Sequence, residues 1–130
     1  MTSNKKGASL IELMLAVAVF VVGSASVAHL YIGARTAGAF GMEINQATFL
    51  AKEGIEEKRA IRNATGFDSL EESSEQVTLD NVEFARNIEF SYISDEEVVV
   101  ISSVNWDSLK GEESVEISGI LTDWKSGETE

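Results

Sequence analysis

Besides His29, Glu12 is the only Asp, Glu, Lys, Arg or His between Ala8 and Ala34, and the ten residues 13–22 that follow it are all apolar. A charge at the centre of a bilayer costs about 2.5–3.5 kcal/mol even on lenient insertion scales, so a carboxylate set into such a run is a functional candidate by position. Directly before it stand Lys5, Lys6, Gly7, Ala8, Ser9, Leu10 and Ile11. This segment has the highest information content in the chain. Elsewhere the inventory is poor in chemistry. The one histidine lies inside the apolar span and there is no cysteine, so neither a Ser-His-Asp nor a Cys-His site can form in the remainder, and disulfides and thiolate metal sites are ruled out. Acidic runs occur at Glu71, Glu72 and Glu75, at Asp95, Glu96 and Glu97, and at Glu112 and Glu113. None has the spaced ligands and central glycine of a calcium loop, and they read as solvated turns. There is no phosphate-binding or dinucleotide-binding glycine motif. Asn63, Ala64 and Thr65 match a glycosylation sequon, a triplet that arises often by chance. No enzyme activity, cofactor or metal is expected.

These residues need elements to hold them, and the charge pattern divides the 130-residue chain sharply. From Arg35 onward there are eight basic and 21 acidic side chains, a formal charge of −13. So acidic a surface repels phosphate backbones, and no nucleic-acid binding is expected of this part. The apolar stretch from about residue 13 to 32 is some 20 residues long, enough as a helix to cross a hydrocarbon core of roughly 30 Å. Lys5 and Lys6 before it predict a cytoplasmic N-terminus and an acidic domain on the far side of the membrane.

Helical character continues past the span. Ile44, Ala47, Ala51, Ile55, Lys58 and Ile61 recur at spacings of three and four, with Glu43, Lys52, Glu53, Glu56, Glu57 and Arg59 around them. With no proline anywhere to break it, one helix over about residues 9–63 is predicted, ended near Gly66 as a left-handed cap. Gly33, Gly38, Gly41 and Gly54 fall inside it and mark flexible or closely packed points. After a polar loop over residues 68–75 the period becomes two. Val77 and Leu79, Val82 and Phe84, and Ile88, Phe90 and Tyr92 alternate with polar neighbours, and residues 97–106 and 114–124 are further strands. Short polar turns between them predict an antiparallel meander of about four strands whose apolar face is covered by the second half of the helix. Trp106 and Trp124 are expected to pack on or beside the sheet. The fold class is therefore α+β.

The segment from Lys5 to Leu13 resembles the class III signal peptide of type IV pilins and of the pseudopilins of type II secretion systems. The resemblance is specific over the first 25 residues or so and architectural beyond them. It implies that a prepilin peptidase cuts after Gly7 and N-methylates Ala8. It also implies that Glu12, fifth in the mature chain, pairs with the terminal amine of a neighbouring subunit during assembly. Implied partners are the prepilin peptidase, other pilin or pseudopilin subunits, an inner-membrane assembly platform, and membrane lipid before assembly. The chain departs from the pattern in three places. Ala8 stands where phenylalanine or methionine is usual, His29 where many major pilins have a helix-bending proline, and no cysteine pair closes a C-terminal loop. A minor pilin or pseudopilin fits these departures as well as a major pilin does.

The organisation expected is a leader over residues 1–7, a transmembrane and assembly segment over 8–34, an amphipathic helical segment over 35–66 and a sheet domain over 67–130. The function implied is a structural filament subunit, first held in the cytoplasmic membrane and then in an extracytoplasmic or cell-surface filament. Two other readings compete with it. A conventional signal peptide cut after Ala28 would leave a secreted domain, and an uncut single-pass anchor would tether an extracytoplasmic binding domain. The first of these leaves Glu12 unexplained.

Overall fold

The computed structural model describes residues 4–123, with side chains from Ser9 onward. Trp124 lies outside the described residues, as do the side chains of Lys5, Lys6 and Ala8 and all of residues 1–3. Helix α1 spans Asn4–Thr65, slightly longer at both ends than predicted. The chain forms two compact units, Met1–Ala39 and Phe40–Glu130.

Among the described residues the first unit consists of α1 alone. Its large apolar side chains are exposed, among them Leu13 (65%) and Phe20 (74%). By length and composition α1 is long and apolar enough to cross a membrane.

In the second unit the remainder of α1 packs on four antiparallel strands, β1 (Ser73–Leu79), β2 (Val82–Tyr92), β3 (Glu97–Ser108) and β4 (Gly111–Thr122), arranged in chain order. The α+β arrangement is pilin-like: one long apolar N-terminal helix with a four-stranded antiparallel sheet. The alternation seen in the sequence sets the register. Phe84 faces Trp106, Ile88 faces Ser102 and Phe90 faces Val100 across β2 and β3, while Val98 faces Leu121 across β3 and β4. β1 and β2 are joined through Asp80 and Asn81, at φ 49° and 66°, the positive angles of a tight hairpin turn that Asn and Asp tolerate best. β1 begins within the segment predicted as loop. Its first residues are exposed on an edge strand, so burial imposes no alternation there for the sequence to display.

Two apolar groups fill the space between helix and sheet. Ala47, Leu50 and Ala51 meet Phe84, Val104 and Trp106, and Ile55 meets Leu70, Ile88, Val98, Val100 and Leu121. Each large side chain so buried contributes about 1.5–3 kcal/mol. At Gly54 the helix lies tight against the sheet. A Cβ there would lie 2.8 Å from Ile88 Cδ1 and 3.2 Å from both Arg86 Cδ and Ser102 Oγ. Of the four helical glycines noted in the sequence, this one has the packing role. Trp106 is buried and its indole N–H donates to Glu43 Oε2 at 3.1 Å. At the end of α1, Arg62 Nη1 donates to the Thr122 carbonyl at 3.2 Å, and the N–H of Gly66 to the Arg62 carbonyl at 3.0 Å. Gly66 adopts φ 104°, ψ 174°, not the left-handed helical angles expected of a cap but an extended positive-φ conformation that is essentially reserved for glycine.

Candidate functional site

Glu12 lies on α1 and is exposed, as are its neighbours Leu10, Ile11, Leu13, Met14 and Leu15. An ionised carboxylate is acceptor-only, so in apolar surroundings it requires a donor brought from elsewhere. Two hydroxyls of this unit are bonded within the helix itself. Ser26 Oγ donates to the Val22 carbonyl at 2.8 Å and Thr36 Oγ1 to the Ile32 carbonyl at 3.0 Å. Both hydroxyls are thus satisfied within their own helix and ask nothing of the surroundings. Gly23, Ser24 and Ala28 leave a shallow apolar hollow between Phe20, Val27 and Tyr31. His29 is exposed on the same helix. Gly7 is helical, in the stretch of α1 preceding Ser9.

The acidic runs of the second unit do not converge. Glu75 is turned to Arg86, and Asp107 faces Glu112 across β3 and β4. Among the described residues no group of three or more His, Asp or Glu side chains is placed to hold a metal ion.

The most connected polar side chain of the second unit, Arg86, was not anticipated from the sequence. It is buried on β2 between Phe84 and Ile88 and donates through Nη1 to the Leu50 carbonyl at 3.1 Å. Nη2 meets Glu57 Oε2 at 3.4 Å and also Glu75 Oε1, and Nη1 lies 3.6 Å from Glu53 Oε2. The side chain therefore joins β1, β2 and α1. The signal was present, since the alternation of Phe84, Ile88 and Phe90 puts residue 86 on the inward face. Ser102, opposite Ile88, is fully buried on the same face.

Neither the curated proteins nor the solved structures yield a match to this chain. The family described as the prokaryotic N-terminal methylation motif does match, over residues 2–28, and the chain thus carries at its N-terminus the signal of type IV pilins and pseudopilins.

Proposed function

We propose that this protein is a structural subunit of a type IV pilus or pseudopilus-like filament. The observation that carries the reading is the methylation motif over residues 2–28, a stretch that includes Glu12 and the exposed apolar side chains around it. In this reading a prepilin peptidase cuts between Gly7 and Ala8 and methylates Ala8. Lys5 and Lys6 keep the leader on the cytoplasmic side, and the apolar part of α1 anchors the chain in the cytoplasmic membrane. An assembly platform then delivers the subunit to a filament outside that membrane.

During transfer the exposed apolar side chains exchange lipid for the helices of other subunits, a swap of little hydrophobic cost. Glu12 pairs with the terminal amine of a neighbouring subunit, which gives the isolated carboxylate its donor. Identical subunits in head-to-tail contacts that do not close form a filament.

Co-expression with a prepilin peptidase, followed by intact-mass and N-terminal peptide analysis, tests the first step. Loss of residues 1–7 with a methyl group on Ala8 is the expected product. Cleavage after Ala28, or no cleavage, would sink the proposal.

A further inference from the structure

Leu109 is 88% exposed, more than any other large apolar side chain among the described residues. It stands beside Lys110 at the two-residue tip that joins β3 to β4. The tip is well fixed. Ser108 Oγ accepts from the N–H of Lys110 and donates to the Gly111 carbonyl, each at 3.1 Å, and Gly111 takes φ 119°. Polar residues suit such a turn better than leucine does, and Leu109 buries almost nothing within its own chain.

The opposite end of the sheet carries a depression of matching character. Its apolar part is Phe67, Tyr92 and Ile93, and Asp68, Ser94 and Asp95 complete the lining. Phe67 meets Tyr92 edge-on, with centroids 6.2 Å apart and planes at 76°. Tyr92 and Ile93 nevertheless stay 60% and 59% exposed. Three apolar side chains with two carboxylates among them fit a leucine followed by a lysine.

The 12 residues of β3 separate the tip from the depression, about 40 Å at roughly 3.3 Å per residue. A chain therefore cannot fill its own depression with its own tip, whereas the tip of a second copy can reach it. Charge favours this docking as well. With a formal −13 beyond residue 34, copies repel one another except where one of the few basic side chains meets acids.

We propose that Leu109 of one copy seats against Phe67, Tyr92 and Ile93 of the next, with its Lys110 turning from the Phe40 ring, 4.4 Å away, toward Asp68 and Asp95. The contact is heterologous and does not close on itself, so it repeats along a filament. It rests on the filament reading, because a contact this small needs the high effective concentration of subunits already held by their N-terminal helices.

The chain has no cysteine, so an introduced pair has no background. The full-length double variant Leu109→Cys, Ile93→Cys is assembled with its peptidase and platform, sheared from cells, mildly oxidised and run without reductant. A ladder of linked multimers from the double variant, absent from either single variant, is expected. Filaments that pellet normally while the double variant remains monomeric would overturn the contact and leave the filament reading standing. Absence of filaments from the unaltered chain would overturn both. Shielding of the single variant Leu109→Cys from a water-soluble maleimide only in the membrane-held subunit, and not in the filament, would make Leu109 a lipid contact and also reject the proposal. As a second measurement, Lys110→Glu lowers pelleted filament at least tenfold and Asp95→Lys in the same chain restores it; failure of the second change to restore it counts against the docking.

Discussion

Replacing Arg86 separates two ways in which one buried side chain can hold β1, β2 and α1 together. Its three carboxylate partners, Glu53, Glu57 and Glu75, are 54%, 52% and 48% exposed, so each pair contributes no more than the roughly 0.2–1 kcal/mol of solvent-screened ion pairs. The charged hydrogen bond to the Leu50 carbonyl adds about 1.5–3 kcal/mol. Against these stands burial of the guanidinium with its Nε unbonded among the described residues, a penalty of about 1–3 kcal/mol before the cost of removing the charge from water is added. The polar contributions nearly cancel, which leaves the stem. Truncation to alanine removes two buried methylenes, about 1.6 kcal/mol, and leaves a void worth about 1–2 kcal/mol more. Arg86→Ala is therefore expected to cost about 3 kcal/mol, and Arg86→Met, which keeps the stem and frees half-hydrated carboxylates, about 1 kcal/mol or less. Urea unfolding of the full chain in detergent micelles, followed by tryptophan fluorescence with Trp106 as the buried reporter, measures the difference. With a slope of about 1–2 kcal/mol per molar, the alanine variant should shift the midpoint down by about 2 M and the methionine variant by under 1 M. A methionine variant as unstable as the alanine one would refute the reasoning, because the charge would then be the stabilising element.

Gly54→Val should destabilise the second unit by at least 3 kcal/mol in the same unfolding experiment. Gly54→Ala should cost about 1 kcal/mol net, because the clash with Ile88 exceeds the gain in helix propensity. Asn81→Gly, at φ 66° in the β1–β2 turn, should raise stability by about 0.5 kcal/mol, read as a small rise in thermal midpoint. Under the filament proposal, Glu12→Ala should leave a terminal amine unpaired at a cost of about 3–5 kcal/mol and reduce incorporation into sheared filaments more than a hundredfold. Carbonate extraction should find the same variant still inserted in the membrane.

The long helix and the meander were legible because each follows from one dominant signal. An apolar run without proline has no reason to break, and the alternation from Val82 to Tyr92 places one face on the core. Arg86 does not stand out in the sequence, because a charged residue at an inward position looks there like a polar interruption of the alternation. Its partners come from β1 and α1, and their convergence on it depends on strand order and helix placement. Among the helical glycines the sequence offered no way to choose Gly54, since close approach depends on which turn of α1 crosses Ile88 and Ser102. The start of β1 was hidden for a different reason: a strand solvated along one edge and exposed at its first residues carries no burial pattern. Glu12 stands out in the sequence because the ten residues after it are apolar.

The order of the four strands bears on how the protein reaches its native state. Every strand pairs only with its neighbour in the chain, through turns of a few residues, so the sheet is assembled from local hairpins, each of a kind that closes within about 1–10 μs. The one long-range step is the docking of this meander onto the Ile44 to Ile61 stripe of α1, where Gly54 leaves room for Ile88 and Ser102. A chain emerging N-terminus first could thus leave its helix waiting and complete the sheet hairpin by hairpin, needing neither proline isomerisation nor disulfide exchange to finish.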